Sequence, residues 1–352
     1  MSTASSVVSS ADLAVVIGRW QLPHLGHLKL FEAALQSAPR VVVVIGSAFR
    51  SRDVRNPFTW EERRDMILAM LPGQAERLQF VPVRDYYDDE RWARAVTDQV
   101  QVVAGGSRQI ALIGHIKDAT SAYLNRFPAW RRVGVEPVDG LDATALRKVY
   151  FGSEDTGMAL TVLTPYLHPS TVAYLQAWSL LPEYRRRCDE ARAVAAIRQK
   201  YTAPHYLAAD ALVVVNDHVL LIRRGGQVGH GLWALPGGFV DRGERFLQAA
   251  MRELREETGY APLPSTLQAA LRDSAVFDHE LRSPRGGIVS MAFRFDLGQM
   301  NHLPEVKAAD DAQLAAWVPV ADLPGMAGQF FEDHDCILDR LVGLYHDTPG
   351  PA

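Results

Sequence analysis

Cysteine is nearly missing from this chain: Cys188 and Cys336 are the only two among 352 residues. They lie far apart, with no Cys-x-x-Cys or Cys/His spacing, which excludes a cysteine-based zinc site and leaves both expected to be reduced. Positive charge is not in excess either. A formal net charge of -4 gives no general attraction for polyanions, so nucleic acid and acidic membrane surfaces are poor partners, while small anions in local pockets remain open. No stretch approaches about 18 uninterrupted apolar residues, and the opening "MSTASSVVSSAD" has neither a basic n-region nor a long apolar run. A cytoplasmic protein is therefore expected, with residues 1–11 as a mobile tail. Apolar residues are not scarce. With 48% hydrophobic and 22% charged residues each half can build a core, and the length exceeds the roughly 250–300 residues at which single cores stop growing. Two domains are the expectation.

From residue 13 short apolar runs alternate with helical patterns: "LAVVIG", a helix from Gly26 to about Ala38, "VVVVIG", then a helix opened by Thr59 with Glu62 three residues on, a capping box. "LQFVPV" and "QIALIG" follow, separated by a helix over 89–104. This punctuation predicts an open, doubly wound α/β unit with a parallel sheet covered on both faces. After "RRVGVEPV" only helices are expected, over 142–151, 170–181 and 183–201, closing a first domain at 12–201. "TAPHY", 202–206, reads as a linker whose Pro204 restricts the chain. A second domain, 207–348, opens with "ALVVVNDHVLLIRR", two strands around an Asn216-Asp217 turn. A Gly-rich loop, one prominent helix, the strands "VSMAFRFDL" and "AAWVPV" and a final helix follow. It reads as α+β, and no internal repeat relates the halves.

The prominent helix lies in "GFVDRGERFLQAAMRELREETGY", 238–260. Glu253, Glu256 and Glu257 at i, i+3 and i+4 fall on one face at about 100° per residue. Three like charges there repel one another unless a cation binds. Leu247, Ala250, Met251 and Leu254 form an adjacent apolar stripe, so the helix can dock on a core while turning its acids toward a cleft. Hard oxygen ligands suit Mg²⁺ or Mn²⁺, which keep waters and bridge to substrate phosphates. A metal there would spread the charge of a leaving phosphate and make a bound water a nucleophile, which is diphosphate hydrolysis. A solvated acidic surface is the alternative, and residue order weighs against it. The segment fits G-x5-E-x7-R-E-U-x-E-E-x-G-U through Gly238, Glu244, Arg252, Glu253, Leu254, Glu256, Glu257, Gly259 and Tyr260. Chance supplies that pattern in about one chain per million of this length.

This is the Nudix box, and the second half resembles the Nudix hydrolases over about residues 204–345. The resemblance implies that Glu253, Glu256 and Glu257 bind the divalent metal, that Gly238 belongs to the loop before the helix, and that Glu244 and Arg252 brace that loop. Which acid is the base stays open. "FDHELRSPRGG" and "VKAADDAQLAAWVPVADL" look like the ADP-ribose pyrophosphatase branch. His279, Arg282 and Arg285 are candidates to meet phosphate or ribose there, Arg285 foremost, with a basic surface loop as the alternative.

At the other end, "GRWQLPHLGH" places His24 and His27 where the first strand runs into the next helix, the position at which open α/β sheets bind ligands. Free N–H groups and partial positive charge at a helix start favour phosphate, and Gly18 and Gly26 let backbone approach it closely. Zinc is the rival, but no third ligand is near and the spacing is poor for a helical metal pair. A purely structural role for both imidazoles is the other alternative. With "GSAFRSRDVRNPFTWEER" (46–63), "IGHIKDATSAYL" (113–124) and "LDATALR" (141–147), the whole chain resembles the bifunctional nicotinamide mononucleotide adenylyltransferase/Nudix hydrolase family.

That resemblance implies a nucleotidyltransferase domain followed by a Nudix domain. His24 and His27 would stabilise charge on the ATP phosphates, and Arg55 and Arg147 would clamp the polyphosphate. Gly18, Arg19, Gly26, Lys117, Asp118 and Thr144 would line the substrate site. Trp92 is a candidate to stack on nicotinamide, or else a helix-surface aromatic. Asp142 stands where the family motif has serine; it caps the helix or weakens a phosphate contact. The attacking group would be the substrate's own phosphate, so positioning and fixed cations suffice. The expected reactions are adenylyl transfer from ATP to nicotinamide mononucleotide, and Mg²⁺- or Mn²⁺-dependent hydrolysis of ADP-ribose to AMP and ribose 5-phosphate. The alternatives are another acceptor (nicotinate mononucleotide or phosphopantetheine), another nucleoside diphosphate derivative, or a second domain that senses ADP-ribose. Small nucleotides (ATP, nicotinamide mononucleotide, NAD, ADP-ribose) are the expected partners, not nucleic acid or membrane, and a homo-oligomer is left open.

Overall fold

Strands whose successive side chains are all apolar need cover on both faces, and the first unit supplies it. The computed structural model describes residues 11–115, 119–138 and 140–345. It forms two compact units: the chain up to Phe49 with Pro57–Tyr184, and Arg50–Asn56 with the chain from Arg185 on.

The first unit runs β1 (Leu13–Gly18), α1 (Leu25–Ser37), β2 (Arg40–Ile45), α2 (Trp60–Met70), β3 (Leu78–Pro82), α3 (Asp89–Ala104), β4 (Ile110–His115) and β5 (Arg131–Val135). Helices α4 (Ala143–Gly152), α5 (Thr156–Leu163) and α6 (Pro169–Trp178) follow. The sheet order is β3-β2-β1-β4-β5, with every neighbour parallel. Alternation sorts each strand between two cores. Ala14, Val16, Val41, Val43 and Ile45 pack with Leu30 and Phe31 of α1 and Ile67 of α2 on one face. Leu13, Val15, Ile17, Val42 and Val44 pack with Val96 and Val100 of α3 on the other. Thr59 and Glu62 close the capping box of α2: the Thr59 N–H donates to the Glu62 carboxylate (2.8 Å) and the Glu62 N–H to Thr59 Oγ1 (3.3 Å).

Helix α5 was not among the expected elements. Its sequence has no polar face to reveal a helical period: Ala159 and Leu163 are buried while Met158 and Val162 are exposed.

The second unit holds α7 (Pro182–Lys200) from Arg185 on, then β6 (Tyr206–Val215), β7 (His218–Arg224), β8 (Trp233–Ala234), β9 (Gly237–Phe239) and α8 (Phe246–Thr258). It ends with α9 (Pro264–Ala270), β10 (Leu271–Phe277), β11 (Ile288–Asp296), β12 (Ala312–Pro319) and α10 (His334–Val342). Its sheet runs β10-β11-β6-β7-β12, with β8 on β7 and β9 on β6; β11 and β6 are parallel. Between β6 and β7, Asn216 (φ +48) and Asp217 (φ +58) make the two-residue turn. Ala249, Ala250 and Leu254 of α8 are buried against Ala211, Val213 and Phe295 of the sheet, with Leu247 and Met251 at the margin. Among the described residues no helix is long and apolar enough to cross a membrane.

Candidate active sites

In the first unit β1 ends at Gly18, and the chain turns sharply before His24 caps α1. Trp20 (φ +53) and Leu22 (φ +74) are buried non-glycine residues in left-handed conformation, a strain of order 1–3 kcal/mol each that the surroundings must hold. Trp20 Nε1 donates to the Val44 carbonyl (2.9 Å). Gln21 clasps Phe58 through two hydrogen bonds, Nε2 to the Phe58 carbonyl (2.9 Å) and Oε1 from the Phe58 N–H (3.2 Å). The strained loop presents His24 and His27 as a pair, their rings stacked 3.6 Å apart between centroids. His27 Nδ1 accepts the His24 N–H (3.3 Å), and Trp20 meets His27 edge-on. His24 is buried and His27 half-buried. A Cβ on Gly26 would stand 3.1 Å from the His24 ring, and one on Gly18 would lie 2.8 Å from the Trp20 indole, so glycine permits both approaches.

Arg147 on α4 reaches this loop: Nη1 donates to the Gln21 carbonyl and Nη2 to Thr144 Oγ1 (3.3 Å). Asp142 caps α4, accepting from the N–H groups of Thr144 (3.0 Å) and Ala145 (3.2 Å). Arg19 is exposed beside the loop. Trp92 lies on α3 edge-on to Tyr123 (6.0 Å) and Phe127 (5.9 Å), half-buried at the rim of the core. Lys117 and Asp118 lie outside the described residues. Arg55 is on the Arg50–Asn56 segment, which belongs to the second unit, and its Nη1 donates to the Leu281 carbonyl (2.5 Å).

One residue that periodicity could not single out holds the loop from beneath. Arg63 is fully buried and donates to four carbonyls, those of Arg19 (2.5 Å), Gly46 (2.8 Å), Ser47 (3.1 Å) and Thr59 (3.1 Å). These carbonyls follow β1 and β2 and precede α2, so one guanidinium ties three chain segments together. Burial pulls its pKa down to about 9, against the opposing charge of Asp85. The only sequence signal is its helical offset from Thr59.

The second unit has a cleft of about 310 Å³ lined by Gly238, Arg252, Glu253 and Glu257. Gly238 on β9 runs so close to α8 that a Cβ there would stand 2.3 Å from the Glu253 carboxylate. Next to it the Gly237 N–H donates to Glu257 (2.9 Å). Arg252 grips Glu244 with Nε (3.0 Å) and Nη2 (3.0 Å) and donates to the Phe239 carbonyl (2.9 Å), which ties the Gly-rich loop to the helix. Its Nη1 donates to both Glu253 (2.7 Å) and Glu256 (3.0 Å). Among the described residues no three acids, histidines or cysteines stand close enough together to hold a metal ion. The donor set nevertheless suits a hard divalent cation: the point shared by Glu253 and Glu256 already receives a guanidinium, and Glu257 stands one turn from Glu253.

Burial pushes the Glu257 carboxyl up to about 8, with Glu253 adding to the shift and the Gly237 N–H opposing it. Glu253 is also raised by burial, against Arg252. Glu256 is the most exposed of the three, its side chain 39% accessible, and does not line the cleft.

Arg282 and Arg285 line the same cleft, each already paired. Arg282 forms a buried two-bond contact with Asp333 (2.9 and 2.8 Å) and Arg285 one with Glu332 (2.9 and 3.0 Å). His279 accepts the Leu281 N–H (3.1 Å), an exposed contact inside its own loop. Arg224, at the end of β7, lines the cleft too.

Comparison with known proteins follows the same division. The chain matches the cytidylyltransferase-like family over residues 15–126 and the NUDIX domain family over residues 204–341. It is 38% identical over 142 residues to the nicotinamide/nicotinic acid mononucleotide adenylyltransferase of Acinetobacter baylyi, covering 40% of this chain and 76% of that protein. It is 35% identical over 133 residues to the ADP-ribose pyrophosphatase of Methanocaldococcus jannaschii, covering 38% of this chain and 70% of that protein. A solved bifunctional NMN adenylyltransferase/ADP ribose pyrophosphatase from Francisella tularensis, complexed with AMP and a Mn ion, is 32% identical. It superposes at a TM-score of 0.86, covering 95% of this chain and 99% of that one.

Proposed function

The chain belongs to the family of bifunctional NMN adenylyltransferase/ADP-ribose pyrophosphatases, and from that premise we propose how its two sites divide the work. The first unit transfers the adenylyl group of ATP to nicotinamide mononucleotide. A phosphate oxygen of the mononucleotide attacks the α-phosphorus, the bond to the β-phosphate breaks, and NAD and pyrophosphate are released. No side chain becomes a nucleophile. His24 and His27 stand at the start of α1 where charge develops on the polyphosphate, and Arg147 and Thr144 hold the loop that presents them. Arg63 is a positioning residue that keeps this loop in its strained form.

The second unit hydrolyses ADP-ribose: water adds to one phosphorus of the diphosphate, and AMP and ribose 5-phosphate separate. Glu253, Glu256 and Glu257 would hold Mg²⁺ or Mn²⁺, which when bound supplies charge neutralisation at the diphosphate and an acidified water. Arg252, anchored on Glu244 and Phe239, orients Glu253 and Glu256. The observation that carries this reading is that one bifunctional relative accounts for both units in a single superposition.

The test assays both reactions on one preparation. With Mg²⁺, ATP and nicotinamide mononucleotide should give NAD and pyrophosphate, and ADP-ribose should give AMP and ribose 5-phosphate. Glu257→Gln should lower hydrolysis by more than about 100-fold, since even groups that only support a metal ligand are worth about 10–100-fold, and should leave NAD synthesis intact. His27→Ala should do the reverse, by about 100-fold or more. Loss of both activities in either variant would refute the division of labour.

A further inference from the structure

Alternation along β6 divides its side chains between the two faces of the sheet. Ala209, Ala211 and Val213 pack against α8, the helix that carries Glu253 and Glu257. Ala208 and Asp210 turn the other way and line the hydrolytic cleft, as do Ile288 and Ser290 of the adjoining strand β11. This floor is apolar at Ala208 and Ile288 and carries a carboxylate beside them. Ser290 Oγ donates to Asp210 Oδ2. Asp210 Oδ1 has no partner among the described residues, although the residue is only 6% exposed. A Cβ on Gly237, its register partner in β9, would come within 2.3 Å of Oδ1, so glycine is what leaves room for that oxygen.

His334, the first residue of α10, lines the same cleft and is equally buried. Its Nδ1 accepts the Leu235 N–H (3.0 Å), close before the Gly237 that pairs with Asp210. Residues 235–237 thus seat both side chains. Burial holds the ring below its usual pKa, against the charges of Asp210 and Asp333. With Nδ1 accepting, the neutral ring carries its proton on Nε2. That N–H has no partner among the described residues, and neither it nor Asp210 Oδ1 is one of the polar atoms that the protein encloses completely. Both therefore meet whatever fills the cleft, and a buried donor and acceptor left unmatched are costly until a ligand completes them.

The chemistry of the pair limits that ligand. Asp210 repels a phosphate, and a sugar would set its hydroxyls against Ala208 and Ile288. A planar heteroaromatic ring with an amino group and an acceptor nitrogen along one edge satisfies both atoms while its face lies on the apolar floor. Resting on the reading of this unit as an ADP-ribose hydrolase, we propose that Asp210 and His334 are its base-recognition pair. Asp210 accepts from the 6-amino group of adenine, and His334 Nε2 donates to a flanking ring nitrogen, N1 or N7. Neither touches a reacting atom; they decide which nucleoside diphosphate is held while α8 acts on the diphosphate. Hypoxanthine in place of adenine sets a carbonyl oxygen against the Asp210 carboxylate, so selectivity comes from repulsion as well as from a lost bond.

The experiment uses the full-length chain and steady-state hydrolysis of ADP-ribose, inosine diphosphate ribose, and the 1-deaza and 7-deaza analogues of ADP-ribose. NAD synthesis and thermal unfolding are the controls for folding. Wild type should favour ADP-ribose over inosine diphosphate ribose by at least about 10-fold in kcat/KM, mostly through KM. Asp210→Asn, whose amide N–H can donate to the hypoxanthine oxygen, should bring that ratio within about twofold or invert it. His334→Asn keeps an acceptor for the Leu235 N–H but does not reach into the cleft, and should lose about 5- to 10-fold on ADP-ribose. His334→Gln, with the longer amide, should recover part of it. One deaza analogue should be cleaved by wild type as poorly as ADP-ribose is by His334→Asn, and that variant should cleave it no worse. A wild-type enzyme that cleaves ADP-ribose and inosine diphosphate ribose within about twofold of each other overturns the inference, whether or not the variants fold. So does an Asp210→Asn enzyme impaired on both at an unchanged ratio, which would mark a packing or sugar-binding role. Two deaza analogues cleaved as well as ADP-ribose overturn it too. Failure of the unsubstituted enzyme to cleave either nucleoside diphosphate ribose would instead overturn the functional reading, and this inference with it.

Discussion

Glu190 on α7 is buried, with Arg187 Nη1 2.6 Å from its carboxylate. Even so, burial pushes its pKa from 4.5 up to about 7, Arg187 opposing and Asp53 assisting. A carboxyl whose pKa is higher in the folded chain binds its proton more tightly when folded. Its contribution to stability is therefore fully present below about pH 4.5 and is lost as pH rises through 7, at most about 3 kcal/mol over that window. Glu190→Gln keeps the shape and removes the titration. The second unit of that variant should be more stable than wild type at pH 8, with the advantage shrinking toward pH 5, as thermal melts at the two pH values will read. A parallel pH slope in variant and wild type would mean that another group sets it. Arg63 belongs to the same scale: it is a buried cation whose value lies in the carbonyls it holds together from three chain segments, which a local reading does not detect.

Elements were most legible where period and cap agreed. Thr59 and Glu62 announce α2, and both capping bonds are formed. The alternating and all-apolar strands of the first unit declared a sheet covered on both sides, and the acidic and apolar faces of α8 declared both the helix and its cleft. The Asn216-Asp217 turn adds a test at this scale. Both residues have positive φ, and Asn216 also bridges to Met300, donating from Nδ2 to its carbonyl (2.9 Å) and accepting its N–H (2.6 Å). Asn216→Ala should therefore cost about 1–2 kcal/mol, while Asp217→Gly should be neutral or stabilising by about 0.5 kcal/mol, since glycine adopts φ > 0 without a Cβ penalty. Denaturant midpoints of the second unit will measure both. Elements that were not read had no such agreement. Helix α5 lacks a polar face, β8 and β9 are too short to show alternation, and β10 ("LRDSAVF") carries Asp273 beside a register shift. Of the two sites, the carboxylate helix could be read whole because its ligands lie within five residues. The histidine loop showed its imidazoles but not Gln21 or Arg63, whose partners are contributed by other segments.

At the scale of the molecule, sequence order and compact units do not coincide. Helix α7 precedes the expected linker at 202–206, yet from Arg185 on it belongs with the second unit. Val194 is buried in one cluster with Ile222, Val228, Ala234 and Phe331, and Arg198 Nε donates to the Pro284 carbonyl (2.9 Å). Arg50–Asn56 joins the same unit: Ser51 Oγ donates to the Phe330 carbonyl (2.6 Å), and Arg187 Nη1 to the Arg52 carbonyl (2.5 Å). Phe331, which lines the hydrolytic cleft, is thus supported by Val194 of α7. A fragment starting at residue 204 loses that support and exposes the apolar side of Ile222 and Val228, whereas one starting at 185 keeps it. Burying side chains of this size is worth about 1.5–3 kcal/mol each. The 204–352 fragment should therefore unfold at least about 3 kcal/mol more easily than 185–352, a difference on the order of 6–12 °C by calorimetry. Its ADP-ribose turnover should fall with it. Equal melting temperatures for the two fragments would mean that α7 contributes no packing to the hydrolytic cleft, and that Phe331 holds its place without help from the chain before residue 204.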